Sequence, residues 1–160
     1  AAIEKLPVIV VVANNQYAYS TPSSRQFACE DLVDKAIGYG IEGSSVDGTD
    51  LSACLEVIGG AVAKARGGGG PQFVVAILLR LCGHGEHDTA EYIDPNLKKS
   101  PLGRDCLNVA EQKLSQQNWA DENMIAGWRK EFQQAIEEAV AKVQREPGPV
   151  PFKENWQAIS

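Results

Sequence analysis

Two short polar runs hold the residue types in this sequence that can do chemistry. They are Asn14-Asn15-Gln16-Tyr17 and Cys82-Gly83-His84-Gly85-Glu86-His87-Asp88, and the second contains both histidines of the chain. Asparagine side-chain oxygens and backbone carbonyls are hard ligands suited to Mg2+ or Ca2+. An imidazole beside them could contact a phosphate or move a proton. Each run follows an apolar stretch, Val8–Val12 before the first and Phe73–Leu81 before the second. If both stretches are parallel strands, the residues just beyond them share one rim of an open sheet, where such sheets bind ligands. Together the runs point to a metal-bound diphosphate. Plainer readings compete with it. An Asn-Asn pair at a strand end often makes a turn that satisfies its own backbone, and a lone loop histidine is usually just solvated. Cys82, His84, His87 and Cys106 could also gather zinc, although their spacing matches no common zinc module.

The elements that must position these runs follow from the apolar pattern. Val8–Val12 is almost wholly β-branched, the composition of a strand covered on both faces. A helix is expected over Gln26–Gly38, with Phe27, Leu32, Val33 and Ile37 as its apolar positions and Gly38 and Gly40 as its stop. Ile41–Asp50 reads as a short strand ending in an Asp-Gly turn, with Thr49 or Asp50 capping the next helix. That helix, Leu51–Arg66, places Leu51, Leu55, Ile58, Val62 and Ala65 at spacings of three and four. Phe73–Leu81 is a second buried strand. Residues 89–105 are loop-rich, Leu107–Gln116 is helical, and Asp121–Arg145 is a long helix striped with Met124, Ile125, Trp128, Phe132, Ile136, Val140 and Val143. The tail from Pro147 is expected to be extended and to dock on another surface. Alternating strands and helices imply a parallel α/β sheet with right-handed crossovers.

Composition narrows the function classes. A chain of 160 residues with 44% hydrophobic and 22% charged residues suits a globular protein with one core. The net charge of −6 argues against general nucleic-acid binding, which needs a basic face. No apolar run approaches the length of a membrane span, so neither nucleic acid nor membrane is an expected partner. The cysteines at 29, 54, 82 and 106 form no paired-thiol motif, so reduced thiols in an intracellular protein are expected. The first strand begins by residue 6 with no leading element, as though the sequence opened inside a domain.

The run KLPVIVVVANNQYAYSTPSSRQ resembles the end of the thiamine diphosphate motif in alpha subunits of 2-oxo acid dehydrogenases, the pyruvate, branched-chain and acetoin family. AIGYGIEGSSVDGTDL and GPQFVVAILLRLCGHGEHD are similar to two further segments of that family, in the same order. The resemblance implies an α/β thiamine diphosphate-binding fold, a mostly parallel sheet flanked by helices. Residues 1–105 would form part of that domain, and 106–160 its C-terminal helical extension and docking tail. It implies thiamine diphosphate and Mg2+ as cofactors, with the Asn15 side chain and the Tyr17 carbonyl as metal ligands. Asn14, Asn15, Tyr17, Ala18 and His84 would bind the cofactor, and His84 would be the catalytic loop residue tied to acyl transfer. Arg80, Asp88 and Arg25 would support the loop. The implied activity is oxidative decarboxylation of a 2-oxo acid with acyl transfer to lipoamide. The implied partners are a beta subunit and a lipoyl acyltransferase, in bacterial cytoplasm or the mitochondrial matrix.

Departures from the family pattern qualify this. The Gly-Asp-Gly that opens the family motif, whose aspartate is a third metal ligand, does not occur here. The expectation is therefore the C-terminal half of an alpha subunit: a fragment, a split subunit or a truncation that lacks the N-terminal half and is inactive alone. A non-catalytic module retained for assembly is the alternative. Gly85 replaces a serine that animal enzymes phosphorylate. Ile93 stands where the family usually has arginine, and Leu79 where it has tyrosine.

Overall fold

The computed structural model describes residues 1–148, which include two compact units, Ala1–Lys113 and the chain from Leu114 onward. The expected α/β architecture is present in the first unit. Its sheet is three-stranded and parallel, with β1 (Ile9–Asn14) and β4 (Glu42–Asp47) on either side of β5 (Gln72–Ile77). Register aligns the three carboxyl ends: Asn14 and Asp47 both pair with Ile77. A miniature hairpin, β2 (Tyr17–Ala18) with β3 (Thr21–Pro22), follows β1.

β5 is the central strand because it is the most apolar, and Val74 and Val75 are fully buried in it. It ends at Ile77 rather than Leu81, although Leu79 beyond it is also buried. β1 does not meet the expectation of cover on both faces. It is an edge strand pairing only with β5, and Val10 and Val11 are 39% and 51% exposed. With pairing on one side only, the described residues do not bury its β-branched side chains.

Two helices also differ from expectation. The helix read over Gln26–Gly38 shrinks to a 3-10 turn at Leu32–Asp34 and α1 (Lys35–Tyr39). Its start is set by Asp31, whose N–H donates to the Asp34 carboxylate at 3.0 Å while its carbonyl accepts from Asp34 N–H. Gly40, at φ 65°, ends it as expected. α2 (Leu51–Lys64) is capped by Asp50, whose carboxylate accepts from the N–H groups of Ser52 and Ala53. Of its expected face Ile58 and Ala65 pack inward, whereas Leu51 and Leu55 at its start are exposed and Ala61, outside that face, is buried. Ala61, with Cys54, Val57 and Ile58, packs against Val46 and Val74 of the sheet. Small residues let the helix approach the strands, so packing distance outweighs side-chain hydrophobicity.

After β5 the chain forms a long excursion containing α3 (Pro95–Lys99) and returns into α4 (Cys106–Gln116). In the second unit α5 (Glu122–Arg145) is the long helix expected, and the Asp121 carboxylate caps it by accepting from Met124 N–H. Of the tail expected from Pro147, everything beyond Gly148 lies outside the described residues. Among the described residues no helix is long and apolar enough to cross a membrane. The contrast between centre and edge is measurable. Val74→Ala should cost about 2 kcal/mol in a denaturant titration, whereas Val11→Ala should change stability by less than about 0.5 kcal/mol.

Candidate functional site

The rim is built by extending the sheet's ladder past the ends of its strands. Leu78 N–H donates to the Asn14 carbonyl (3.2 Å), Arg80 N–H to that of Asn15 (3.3 Å), and Gly48 N–H to that of Ile77 (2.8 Å). The two polar runs are thereby held side by side, as parallel strands require. Asn15 Oδ1 accepts from Tyr17 N–H at 3.0 Å, and Asn14 Oδ1 lies 3.4 Å from both Gln16 N and Ser23 Oγ. The asparagines therefore do satisfy their own turn, but a carboxamide oxygen has two lone pairs, so Asn15 keeps acceptor capacity. The turn is strained. Gln16 (φ 72°) and Tyr19 (φ 52°) both lie in the left-handed region that favours glycine.

The histidine loop is clasped to this turn by Arg80. Its guanidinium donates to the Tyr19 carbonyl and the Tyr92 hydroxyl. It also lies 5.8 and 5.2 Å from the ring centroids of Tyr17 and Tyr92. Asp88 closes the loop. Its carboxylate accepts from His84 N–H (2.6 Å), Ala90 N–H (2.9 Å) and the Tyr92 hydroxyl (2.6 Å), and lies 3.9 Å from Arg80. Those donors, the His84 and Ala90 amides first and then the Arg80 and His87 charges, hold the Asp88 pKa below its ordinary 3.8 against the opposing pull of desolvation. The His84 ring stands edge-on to Tyr19, 5.1 Å between centroids. Beneath the clasp, Leu79, Ala90 and Ile93 form a buried cluster with Tyr17, Tyr92, Leu97 and Leu102 against it. Leu79 and Ile93, the two departures noted in the sequence, are thus partners in one apolar core.

A cavity of about 240 Å³ opens beside the turn, lined among others by Asn14, Asn15, Tyr17, Ser23, Gln26 and Lys35. Its oxygen donors suit a hard cation and its lysine an anion. His84 does not line it and instead sits across Tyr19. Ala18 is in the hairpin, paired with Thr21. Arg25 ends a 3-10 turn and is exposed, apart from the clasp. The zinc reading fails, because among the described residues no three His, Cys, Asp or Glu side chains gather to hold a metal.

Comparison with known proteins adds the family. Residues 1–151 match the dehydrogenase E1 component family. The chain belongs to that family. It is 37% identical over 152 residues to the alpha subunit of acetoin:2,6-dichlorophenolindophenol oxidoreductase from Cupriavidus necator, an alignment covering 93% of this chain and 46% of that protein. It is 32% identical over 150 residues to the pyruvate dehydrogenase E1 component alpha subunit from Rhizobium meliloti, covering 93% and 43%. Over 100 residues it is 45% identical to the 3-methyl-2-oxobutanoate dehydrogenase alpha subunit from Mycobacterium tuberculosis, covering 62% and 26%. The chain thus spans about half the length, or less, of these E1 relatives. Its three-stranded parallel sheet flanked by helices is consistent with part of the family's α/β thiamine diphosphate-binding fold.

The residues that sequence reasoning missed are Tyr19, Tyr92, Ser23, Gln26 and Lys35. A signal existed for the first alone, in the aromatic repeat Tyr17-Ala18-Tyr19. Two outcomes check the loop's construction. A Cβ at Gly83 would lie 2.0 Å from the Asp88 carbonyl oxygen, so Gly83→Ala should strip the loop amides of hydrogen-exchange protection while the sheet keeps its own. Because the folded pKa of Asp88 is depressed, its contribution is whole above 3.8 and is lost as pH falls further, through the folded value. Loop protection should therefore be flat from neutral pH to that point and decline only below it.

Proposed function

We propose that this chain holds the metal-diphosphate end of thiamine diphosphate in the decarboxylating component of a 2-oxo acid dehydrogenase complex. The observation that carries this reading is the shared rim. The Asn15 turn and the His84 loop are tied together there by one arginine, beside a cavity with oxygen donors and a lysine. A second observation supports it. Arg80 Nε is a buried donor without a partner among the described residues, and such orphans mark places where a further polar group belongs.

Asn15 Oδ1 and the Tyr17 carbonyl would contribute two of the roughly six oxygens that octahedral Mg2+ requires, and the rest would come from the diphosphate, water and other residues. Asn14, Tyr17 and Ala18 would border the diphosphate. When bound, the cofactor supplies the electron sink for loss of CO2 from the 2-oxo acid. This chain's residues supply position. Asp88 fixes the loop backbone, Arg80 joins loop to turn, and Tyr19 sets the plane of the His84 ring. His84, exposed at the loop surface, can then donate or accept a proton as an acyl group leaves the site for a lipoyl arm.

The relatives named as alpha subunits imply a beta subunit as partner, and a lipoyl acyltransferase would receive the acyl group. Since the chain spans about half the length of such relatives, the activity is proposed for its assembly with a segment matching the remainder and with a beta subunit. Titration calorimetry tests the site. The assembly should bind thiamine diphosphate in the presence of Mg2+, and Asn15→Ala should weaken that binding by about 10- to 100-fold. The isolated chain should bind weakly. Tight binding by the pure chain, or an Asn15→Ala assembly with unchanged affinity, would remove the metal role from this turn.

A further inference from the structure

Two thiols that the candidate site does not use are held beside one another by the ion pairs at the return of the excursion. Asp47 is the first anchor. Its backbone carbonyl accepts from the Cys54 thiol at 3.4 Å, and its carboxylate pairs with Arg104, two residues before Cys106. Asp50 is the second. Its backbone carbonyl accepts from Cys54 N–H at 3.0 Å, and Lys113 Nζ lies 3.4 Å from its carboxylate. Lys113 comes seven residues after Cys106 on α4, about two helical turns at ~100° per residue, so both lie on the face turned to α2. The stretch of α4 that begins with Cys106 is thus tied at two points to the two residues that touch Cys54.

The two cysteines differ in what can reach them. Both are free thiols, but Cys106 is exposed, whereas Cys54 is half-buried and packs against the cluster of Val46, Ala61 and Val74. Burial, then the Asp47 and Asp50 carboxylates and the neighbouring Cys106, push the Cys54 thiol above its ordinary value. A thiol kept protonated is a poor nucleophile, so Cys54 reacts slowly with an oxidant from solution. Cys106 is the sulfur that such an oxidant meets first. It is also the first residue of α4, where helices fray most readily, so it can close on Cys54 without disturbing the core.

We propose that Cys106 and Cys54 form a reversible redox pair, in which a peroxide oxidises Cys106 and Cys54 then closes a disulfide between α4 and α2. The peroxide O–O bond breaks. One oxygen stays on the Cys106 sulfur as a sulfenic acid, and the other leaves as water with the thiol's proton. Cys54 Sγ then attacks the Cys106 sulfur. The S–O bond breaks as the S–S bond forms, and the hydroxide released takes the Cys54 proton and leaves as a second water. Two electrons pass from the two thiols to the peroxide, and a dithiol reductant returns them. The disulfide closes a loop of about fifty residues, which contains β5 and the histidine loop. The return of the excursion, held in the reduced chain by two exposed ion pairs, is then held covalently.

Peptide mapping of the whole chain tests this. After one equivalent of hydrogen peroxide and alkylation of the remaining thiols, free thiols should fall from four to two per chain. The missing pair should appear as one Cys54–Cys106 linked peptide, and dithiothreitol should restore both thiols. The oxidised chain should melt about 5 °C or more above the reduced one. Cys54→Ser should leave Cys106 as a sulfenic acid that dimedone captures, and Cys106→Ser should yield no disulfide. Arg104→Ala, which removes one tie, should slow closure several-fold while circular dichroism shows the fold unchanged. Four thiols surviving peroxide, a linked peptide through Cys29 or Cys82, or disulfides only between chains would each overturn the proposal.

Discussion

Parallel pairing of β5 with both β1 and β4, in a register that brings Asn14, Ile77 and Asp47 level, is the constraint on which the site depends. Strands that run the same way end on the same side, and the next residues of each continue the hydrogen-bond ladder for one or two steps. The bonds from Leu78 and Arg80 to the asparagine carbonyls are those steps. A slip of one residue would turn every β5 side chain to the other face of the sheet. Val74 would then leave its packing against Val46 and Ala61. The register that buries the core is therefore the register that builds the rim.

The clasp on that rim combines two kinds of cohesion. Arg80, Asp88 and Tyr92 form a polar network in which each side chain has more than one partner. Directly below, Leu79, Ala90 and Ile93 exclude water from it. Lower local dielectric strengthens the hydrogen bonds and raises the cost of breaking any one of them. The loop thus has a core of its own, separate from the one under α2. Strain at Gln16, Tyr19 and Ala90 shows where this construction forces the backbone. Such strain persists only where surrounding contacts determine the conformation, and it gathers at functional sites.

A second electrostatic link holds the return of the excursion. Arg104 pairs with Asp47 at the end of β4, and Lys113 lies 3.4 Å from Asp50 at the start of α2. Burial raises the Asp47 pKa, but the Thr49 hydroxyl and N–H, with Arg104, outweigh it and leave the carboxyl below its ordinary value. The β4 rim therefore serves structure, while the β1 and β5 ends carry the candidate chemistry. Asp47-Gly48 is a turn in the plain sense, with Gly48 admitted because a Cβ there would lie 2.5 Å from Leu78 Cδ2.

Several features were legible from residue order alone. The strand composition of Phe73–Ile77, the cap at Asp50, the stop at Gly40 and the nearness of the two polar runs all follow from local rules plus the topology of parallel sheets. Family membership was legible too, because three motifs kept their order. Other features depended on contacts between residues far apart in sequence. Periodicity placed Ile58 and Ala65 of α2 inward, but the exposure of Leu51 and Leu55 and the burial of Ala61 against Val46 and Val74 depended on where the helix meets the sheet. The exposure of β1 came from its place at the sheet's edge. Tyr92 and Tyr19 became part of the site only because folding brought them to Arg80, 12 and 61 residues away. Sequence determined which residues had the chemistry for a site; tertiary structure decided which of them meet, because hydrogen bonds and ring contacts act over a few ångströms whatever the separation along the chain.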